Sequence, residues 1–383
     1  MANRCKRFYS ILFACLLLFV FCDYLVSFIE VKKKHQWAGA KSFFDNKIFC
    51  RSNWIELYGL TQRIWGKRQI ENFTIYKSSY GKMAQVENNL SEEAIDKSFK
   101  ELYPLIKHLE AKRIPYYYIT SLLPIQDISD FPTGMIEGSH LNQSKLFELL
   151  KKHNVNTINL ANLSQIKSIS KDRLFYKTDH HWALETCFAA YQGITERIRK
   201  DYGFNLNSEV TANLDNYDAK ILKNSFLGSY GIKVGKYYAG KDDFIIYIPK
   251  FKTDLIFKSY DANRKLKQVK SGDFYQALIN DNMVTDPNYN DKYNAYSNFG
   301  YIENQVINNN APNELKCLYI SHSYGRPLTM YLSLNFKEIV NLDPQKKRFS
   351  GNYLTFIADF KPDVVLIQTE FEGMIIGEYK TEG

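Results

Sequence analysis

The sequence predicts an α/β protein with three layers, in which a parallel sheet is covered by helices on both faces. Three observations support this fold class. Apolar runs typical of buried strands alternate with amphipathic helical patterns in the first and last parts of the chain. Between them, residues 205–312 show strand-like patterns without helical spacing, which predicts a β-rich insertion. The first 30 residues contain one long apolar segment, which predicts an N-terminal transmembrane helix.

Composition limits the classes of function. An aromatic content of 15% in 383 residues predicts a folded chain with a sizeable core rather than disorder. The net charge is +9, but the basic residues occur as scattered pairs rather than as one stripe. We therefore expect general affinity for anionic surfaces, such as a membrane or an envelope polymer, and no nucleic-acid binding. The six cysteines include no CxxC pair, so they predict neither a disulfide framework nor a metal site.

Residues 1–30 are predicted as a cytoplasmic tip followed by a transmembrane anchor. Residues 8–29, FYSILFACLLLFVFCDYLVSFI, carry only the charge of Asp23 and are long enough to cross a bilayer once. The basic residues at positions 4–7 favour a cytoplasmic amino terminus and an extracytoplasmic main domain, although lysines beyond the segment weaken this asymmetry. The alternative is a cleaved signal peptide, because residues 38–40 have a small-x-small pattern, but this pattern lies well beyond the apolar run.

Residues 31–85 are predicted as a linker and N-terminal docking segment that contains an amphipathic helix and a short hairpin. Residues 86–204 are predicted as the first half of the α/β domain. Ser91 can cap its first helix, in which apolar residues recur at three- and four-residue steps as far as Leu109. The other elements expected in this half are a buried strand before Pro124, a helix near 144–152, a strand at 156–160 and a helix over 183–200.

Residues 313–383 are predicted as the second half of the domain. Its elements alternate as strand 316–320, helix 326–336, strand 338–342, helix 352–360 and strand 363–369. Alternation of this kind with short connections predicts parallel strands, because parallel neighbours need a crossover connection. The preceding residues 205–312 are predicted as antiparallel strands in an insertion or subdomain.

Ser323 is the candidate nucleophile. The sequence KCLYISHSYGRPL puts it where a buried strand ends and a helix begins, at the edge where sites gather in open parallel sheets. Its hydroxyl would stand above the sheet, and the first amides of the following helix can hold a developing oxyanion. The alternative is that Ser323 and Gly325 mark this turn only for helix capping.

The positions of the seven histidines determine where a base can come from. None of them follows Ser323, so the chain order serine, acid, histidine of α/β-hydrolases is excluded. His322 is a poor candidate, because adjacent side chains on a turn point in different directions. The base must therefore lie upstream, and FYKTDHHWAL at 175–184 offers it.

Asp179 and His181 are two residues apart, so their side chains lie on the same side of an extended segment. A carboxylate beside a histidine fixes its tautomer and stabilises the imidazolium that forms when serine loses its proton. Trp182 is expected to wall the site. One alternative is a surface polar cluster. Another is a metal site like part of the metallo-β-lactamase ligand run, which needs two more histidines where this chain has Phe175 and Lys177.

The pentapeptide TDHHW at 178–182 resembles the signature of the DHHW protein family. That family is related to the alginate O-acetylation proteins, and both belong to the wider SGNH hydrolase-like group. Further stretches match the same pattern in the same order, namely FFDNKIFCRSNWIELYGLTQRIWGK, FLGSYGIKVG, ISHSYGRPL, NLDPQ and KPDVVLIQTE. The resemblance covers residues 42–372 and implies an SGNH-hydrolase-like domain.

The resemblance implies a circularly permuted motif order, in which the Asp-x-His pair precedes the serine. It implies that Ser323 is the nucleophile, His181 the general base and Asp179 the orienting acid, and it gives His180 no role. His322 departs from the small polar residue that usually precedes the serine in such turns. This departure leaves an inactive descendant as an alternative.

Contacts to the reacting groups are expected from the turn after the serine. The backbone amides of Ser323 and Tyr324 are expected to form the oxyanion hole. Further candidates for oxyanion or substrate contacts are Gly325, Arg326, Asn352 and Trp182. We expect no metal, because Phe175 and Lys177 stand where a metallo-β-lactamase ligand run needs histidines, and we expect no cofactor.

The resemblance and the predicted anchor together imply a bacterial, extracytoplasmic, membrane-anchored serine acyltransferase that O-acetylates or otherwise acylates a cell-envelope polysaccharide. Because acetyl-CoA is cytoplasmic, the acyl donor is expected from a membrane-bound O-acyltransferase partner. One alternative is a carbohydrate acetylesterase with the same triad, since water exclusion decides the acceptor. The others are a metal-dependent hydrolase and an inactive glycan-binding assembly protein, in which 28 tyrosines and 26 phenylalanines offer stacking surfaces.

Overall fold

The computed structural model describes residues 51–71, 74–299, 302–344, 349 and 352–369, together with scattered helical positions between 11 and 25. Most of the predicted anchor and the predicted linker up to residue 50 lie outside these described residues. Within the described part of the chain, no helix is both long enough and apolar enough to cross a bilayer.

The chain forms two compact units. The smaller unit comprises Met1–Gly66 and Lys233–Tyr238. Its described part contains helix α1 (Arg51–Ile64), in the segment where the sequence predicts an amphipathic helix. Gly59 lets this helix approach the second segment closely, since a Cβ atom there would lie 2.1 Å from the carbonyl oxygen of Val234.

The larger unit comprises Lys67–Ile232 and Ala239–Gly383. As far as residue 204 it contains β1 (Gln69–Ile70), β2 (Ile75–Lys77), β3 (Met83–Gln85), α2 (Glu92–Ala111), β4 (Tyr116–Thr120), α3 (Ser139–Lys152), β5 (Thr157–Asn159), α4 (Ser164–Lys167) and α5 (Leu184–Tyr202). The first three strands form a small antiparallel sheet. Ser91 caps α2, because its side chain accepts a hydrogen bond from the Ala94 amide.

The remaining elements lie in the insertion and the last part of the chain. The insertion contains α6 (Ser208–Thr211), β6 (Tyr217–Phe226), α7 (Ser229–Val234), α8 (Lys236–Ala239), β7 (Asp242–Pro249), β8 (Leu255–Tyr260), β9 (Leu266–Gly272), α9 (Phe274–Leu278), α10 (Asp281–Thr285) and β10 (Glu303–Asn308). The last part contains β11 (Lys316–Ser321), α11 (Gly325–Leu332), β12 (Glu338–Leu342), α12 (Tyr353–Phe360) and β13 (Val364–Gln368). This last part has the alternation that the sequence predicts, although α11 ends earlier than expected.

An eight-stranded sheet forms the centre of the larger unit, in the order β5-β4-β13-β11-β12-β10-β8-β9. The first five strands in this order, β5, β4, β13, β11 and β12, are parallel to one another. The strands of the insertion are antiparallel, as the sequence predicts. Three of them join the main sheet, because β10 pairs with β12, and β8 and β9 continue the sheet from there. The other two, β6 and β7, form a two-stranded sheet of their own. By joining the edge of the parallel sheet, the inserted strands satisfy its unpaired backbone groups.

Side chains of the parallel strands alternate between two hydrophobic layers. Tyr319 and Leu366 face the layer that α5 and α11 complete. Ile320 and Ile367 face the opposite layer, which α2, α3 and α12 complete. Helices therefore cover both faces of a large mixed sheet, which is the three-layer α/β arrangement that the sequence predicts.

Candidate active site

Residues 175–182 form a tight turn, here called the Asp-x-His turn. Phe175 and Trp182 pair across an isolated antiparallel bridge, and the Tyr176 amide donates to the His181 carbonyl at 3.2 Å. The side chains of Phe175 and Trp182 are buried in the core, so both ends of the turn are anchored. At its tip the His181 amide donates to Asp179 Oδ1 at 2.9 Å, which holds the acid and the base side by side.

Ser323 lies in the turn between β11 and α11. The Gly325 amide donates to the His322 carbonyl at 2.9 Å and closes this turn. Only glycine fits at position 325, because a Cβ atom there would lie 1.9 Å from Ser321 Oγ. Ser323 is partly exposed while His322 and Tyr324 on either side are buried. The turn thus presents the serine hydroxyl at the carboxyl edge of the sheet.

The structure brings Asp179, His181 and Ser323 into one chain of hydrogen bonds. His181 Nδ1 lies 2.5 Å from Asp179 Oδ1, and His181 Nε2 lies 2.8 Å from Ser323 Oγ. Asp179 is 1% exposed and His181 is 7% exposed, so water does not compete for these contacts. When Nδ1 donates its proton to the carboxylate, Nε2 carries the lone pair that can accept the serine proton.

Asp179 is held by residues 226–231, here called the Gly-Ser segment. The Ser229 amide donates to Asp179 Oδ2 at 2.6 Å. Gly228 packs directly on the acid, since a Cβ atom there would lie 2.2 Å from Asp179 Cβ. Thr178 joins the same segment, because its Oγ1 accepts from the Gly228 amide and its carbonyl from the Gly231 amide, each at 2.9 Å. Both carboxylate oxygens of Asp179 therefore have donors, which fixes its direction toward His181.

Lys82 lies beneath the Asp-x-His turn and is 2% exposed. Its ammonium donates to the carbonyls of Tyr176 at 2.9 Å and Asp179 at 2.5 Å. Burial lowers the pKa of Lys82 to about 8, while the charges of Asp179 and Asp242 oppose this shift. Asp242 also accepts hydrogen bonds from two backbone amides on the amino side of the turn. The inward-facing polar groups of the turn are thus satisfied by the buried Lys82 ammonium and the half-buried Asp242 carboxylate.

The surroundings keep His181 neutral at physiological pH. Burial and the nearby His180 lower the pKa of His181 and Asp179 raises it, with a net value of about 3. Burial alone would raise the pKa of Asp179, but His181, His180 and the Ser229 amide together lower it well below its ordinary value. At neutral pH the pair is a carboxylate beside a neutral imidazole, which is the form in which His181 can act as a base.

Tyr324 and Trp182 support the site from behind. The Tyr324 amide donates to His322 Nδ1 at 3.4 Å, and the Tyr324 hydroxyl donates to the His180 carbonyl at 2.5 Å. The second bond ties the serine turn to the Asp-x-His turn. Trp182 is buried, with its ring centroid 5.9 Å from that of Tyr324. It therefore packs beneath Tyr324 in the core instead of forming the wall of an open cleft.

Arg326 and Asn352, two further candidates, have partners within the protein. Arg326 donates from Nη1 to Asn294 Oδ1 at 2.7 Å. The Asn352 side-chain oxygen accepts hydrogen bonds from the amides of Leu354 and Thr355 and caps α12. A contact of either side chain with a substrate stays a prediction.

Sequence analysis missed three residues that lie close to the site, namely Lys82, Asp291 and Tyr293. The Tyr293 ring stacks on the His181 imidazole. Burial raises the pKa of Asp291 to about 6, and the charge of Asp179 raises it as well. Lysine, aspartate and tyrosine are common along this chain, so only their three-dimensional positions distinguish these residues. The Gly-Ser segment did have a signal, because FLGSYGIKVG matches the family pattern.

Among the described residues, Asp179, His180 and His181 have ligand atoms within 4.8 Å of one another, a spacing that could hold a metal ion. However, the ring nitrogens of His181 contact Asp179 and Ser323, and His180 Nδ1 lies 2.9 Å from Ser229 Oγ. An ion would have to displace these contacts. The donor set therefore suits proton transfer better than metal coordination.

Comparison with known proteins gives matches at the level of structure. The sequence matches no family model and no curated protein. The structure of Bacillus cereus PatB1 with a sulfonyl adduct has a TM-score of 0.63 and 18% identity, covering 80% of this chain and 97% of that chain. A DHHW family protein from Eubacterium siraeum has a TM-score of 0.58 and 15% identity, covering 81% and 96%. The O-acetyltransferase domain of Pseudomonas putida AlgJ has a TM-score of 0.45 and 10% identity, covering 80% and 93%.

Over about four fifths of its length, the chain therefore shares the fold of PatB1 and of a DHHW family protein, each of which is matched over nearly its whole length. This confirms, at the level of the fold, the resemblance that TDHHW and the accompanying stretches indicate. At identities of 18% and 15%, these matches establish a shared fold but not a shared activity.

Proposed function

We propose that the protein is an extracytoplasmic, membrane-anchored serine acyltransferase that transfers an acetyl or other acyl group to a hydroxyl of a cell-envelope polysaccharide. One observation carries this proposal. A buried, neutral His181 reaches Ser323 Oγ at 2.8 Å while its other nitrogen contacts Asp179. A nucleophile, a base and an orienting acid in this order are what covalent acyl transfer needs.

In the first step, His181 Nε2 takes the proton of Ser323 as Oγ attacks the carbonyl carbon of an acyl ester. Asp179 stabilises the imidazolium while the former carbonyl oxygen bears a negative charge. When the tetrahedral intermediate collapses, the bond to the leaving oxygen breaks and His181 gives that oxygen its proton. The products are an ester of Ser323 and a released alcohol.

In the second step, His181 takes the proton of a sugar hydroxyl, whose oxygen attacks the acyl group on Ser323. Collapse of this intermediate returns the proton to Ser323 Oγ and leaves the acyl group on the sugar. We propose that the backbone amides of Ser323 and Tyr324 stabilise the oxyanion in both steps. The Tyr324 amide is 3.4 Å from His322 Nδ1, a long contact that a charged oxygen can replace.

The likeness to PatB1 supports a reactive nucleophile. PatB1 has been determined with a sulfonyl adduct. Sulfonyl reagents attach to nucleophiles that a neighbouring base activates. A chain with the same fold and with a serine hydroxyl bonded to a buried imidazole is expected to react with similar electrophiles.

The anchor and the partner are proposed from the sequence. Residues 8–29 are apolar apart from Asp23, and we propose that they tether the domain to the outer face of the cytoplasmic membrane. The net charge of +9 favours contact with anionic lipid or polymer. Since acetyl-CoA is cytoplasmic, we propose that a membrane-bound O-acyltransferase delivers the acyl group across the membrane.

A carbohydrate acetylesterase is the second candidate function. The partial exposure of Ser323 and His180 favours it, because water can then act as the acceptor. Reaction of an activated acetyl ester with and without an acceptor saccharide separates the two activities. A transferase gives acetylated saccharide at the expense of free acetate, whereas an esterase gives the same amount of acetate in both reactions.

The first test is intact-mass measurement of the full-length chain after reaction with a serine-directed fluorophosphonate. We expect one adduct on the wild type and none on Ser323→Ala or His181→Ala. An adduct of equal yield on Ser323→Ala would assign the reactive nucleophile to another residue. A folded wild type without any adduct would contradict an active serine and favour the inactive, glycan-binding alternative.

A further inference from the structure

We propose that Tyr293 is a positioning residue for His181, whose ring fixes the plane of the imidazole and stabilises the imidazolium that forms during acyl transfer. This inference rests on the proposed function. The ring centroids of Tyr293 and His181 are 3.7 Å apart with 12° between the ring planes, so the rings are stacked face to face. Tyr293 belongs to the β-rich insertion, far from His181 along the chain.

The imidazole of His181 lies between two rings. The centroid of His180 is 3.8 Å from that of His181, with 36° between the planes. Two rings at such distances cannot occupy the same face of one imidazole, so His180 and Tyr293 lie on opposite faces. Rotation of His181 about its Cβ–Cγ bond would need one of them to move. The stack therefore keeps Nδ1 directed at Asp179 and Nε2 directed at Ser323.

Tyr293 is itself held in place. It is buried in the short helical turn Lys292–Ala295 and packs edge-on against Tyr296 and Tyr176, at centroid distances of 5.3 and 6.4 Å. The neighbouring Lys292 ammonium donates to three backbone carbonyls at 3.0–3.2 Å, which fixes the backbone of the turn. A ring with such surroundings can restrain His181 because it cannot easily turn away.

The stack also has an electrostatic consequence. The face of an aromatic ring attracts a cation, and His181 is cationic only while it holds the serine proton. The contact is therefore stronger in the transition state than in the resting state, which is the condition for faster reaction. Burial and His180 both oppose a charge on His181, whereas Asp179 favours it. The face of Tyr293 adds a second favourable contact.

The alternative is that Tyr293 only fills the core, and two variants distinguish these roles. Tyr293→Phe keeps the ring and removes a hydroxyl that is 3.4 Å from the Tyr324 carbonyl. Tyr293→Leu removes the ring and keeps apolar bulk. Both variants lose the hydroxyl contact, but only Tyr293→Leu loses the stacked face, so the difference between them measures the stack.

The experiment is the rate of fluorophosphonate reaction at Ser323 as a function of pH, in the full-length chain. We expect Tyr293→Phe to react within about twofold of wild type and Tyr293→Leu to react about tenfold more slowly. The midpoint of the acidic fall in rate should move to lower pH in Tyr293→Leu only. The reason is that a less stabilised imidazolium gives up its proton more readily.

Other charged groups near His181 need a control. The charged or titratable side chains are Asp179 and His180 on its own turn, Arg326 at the start of α11, Asp291 in the insertion and Lys82 before β3. Burial raises the pKa of Asp291 to about 6, so this side chain changes its charge within the pH range of the rate measurements. The pH profiles are therefore repeated with Asp291→Asn added to each protein, and the difference in midpoint between Tyr293→Phe and Tyr293→Leu should persist.

Equal rates and equal midpoints in the two variants would overturn the inference. A slower Tyr293→Leu with an unmoved midpoint would assign Tyr293 a structural role and would also overturn it. If circular dichroism shows that Tyr293→Leu does not fold, Tyr293→Met, with its unbranched side chain, enters the same comparison. Failure of the proposed function is a separate result, since the wild type would then form no adduct.

Discussion

At the scale of single residues, the candidate site depends on charges that water does not reach. The Lys82 ammonium contacts the carbonyls of Tyr176 and Asp179 from beneath the Asp-x-His turn. Lysine is almost never fully buried unless it is paired. Here Asp179 and Asp242 supply the compensating negative charges. The inner side of the turn is thus part of an ionic cluster, in which Lys82 and Asp179 are buried and Asp242 is half-buried.

Lys82→Met is expected to change how stability depends on pH. The pKa of Lys82 is about 8 in the folded protein, against an ordinary value of 10.5. Between these values the unfolded chain binds more protons than the folded one, so the contribution of Lys82 to the free energy of unfolding rises with pH, by about 3 kcal/mol in all. Urea unfolding between pH 7 and pH 10.5 should show this rise in the wild type and not in Lys82→Met.

The matched control is Lys177→Met. Lys177 lies in the same turn but is exposed, so its loss should leave the pH dependence and the fluorophosphonate reaction unchanged. Lys82→Met should also react more slowly at pH 7, because two buried carbonyl oxygens lose their donor and the turn loosens. The same pH dependence of stability in wild type and Lys82→Met would contradict the buried-cation interpretation.

Single residues differ in how far the sequence could identify them. The proximity of Ser323 to the pair Asp179 and His181 was predictable, since Ser323 follows a buried strand and the pair lies in the TDHHW motif, and their catalytic roles stay a prediction. Lys82 and Tyr293 were not predictable, because their contacts with the turn depend on the packing of segments that are far apart in sequence. His322 departs from the usual residue, yet the hydrogen bond between Ser323 and His181 is present.

At the scale of elements, the Asp-x-His turn depends on a second element for its shape. The Gly-Ser segment passes so close to Asp179 that one of its residues has no room for a side chain. Its amides also satisfy both Thr178 and Asp179. The acid is therefore positioned by the insertion and not by the turn alone.

Gly228→Ala is expected to abolish the fluorophosphonate reaction, with a loss of about 1–3 kcal/mol in the free energy of unfolding. The new methyl group would lie 2.2 Å from Asp179 Cβ, so the acid must move away from His181. Gly231→Ala is the matched control in the same segment. Its methyl group would lie 2.4 Å from Leu227 Cδ1 and 3.1 Å from Thr178 Cβ, while no Asp179 atom lies that close, so we expect a smaller loss of reaction than in Gly228→Ala. Rates and urea unfolding are measured on both, and equal reaction of Gly228→Ala and wild type would refute this account.

The positions of strands and helices along the chain were easier to predict than the pairing of the strands in the sheet. The alternation of strands and helices after residue 313 follows from apolar runs and spacing, and it is present in the structure. The strands of the insertion were expected to be antiparallel, and they are, but the sequence did not indicate that β8, β9 and β10 continue the main sheet. An alternating strand pattern determines which face is buried, but it does not determine which strand lies alongside.

At the scale of the whole molecule, the candidate site joins distant parts of the larger unit. Asp179 and His181 come from the first half of the α/β domain, the Gly-Ser segment and Tyr293 from the insertion, and Ser323 from the second half. One hydrophobic layer contains side chains from all three parts. The site should therefore persist only as long as this layer is intact.

Loss of the fluorophosphonate reaction in urea is expected to coincide with global unfolding of the larger unit. The reactive fraction and the circular dichroism signal, measured on the same samples, should give the same midpoint, because the three parts share one core. Loss of reaction at a much lower urea concentration would contradict this expectation. It would show that the insertion or the Asp-x-His turn unfolds separately.

The order of strands in the sheet has a consequence for how the protein folds during its synthesis. β13 comes last in sequence among the strands of the described residues, yet it lies between β4 and β11 and joins the two sides of the sheet. A chain still emerging from the ribosome cannot fill this gap until β13 has been made. The nascent polypeptide therefore cannot complete its central sheet, or position Ser323 against His181, until residues 364–368 have left the ribosome.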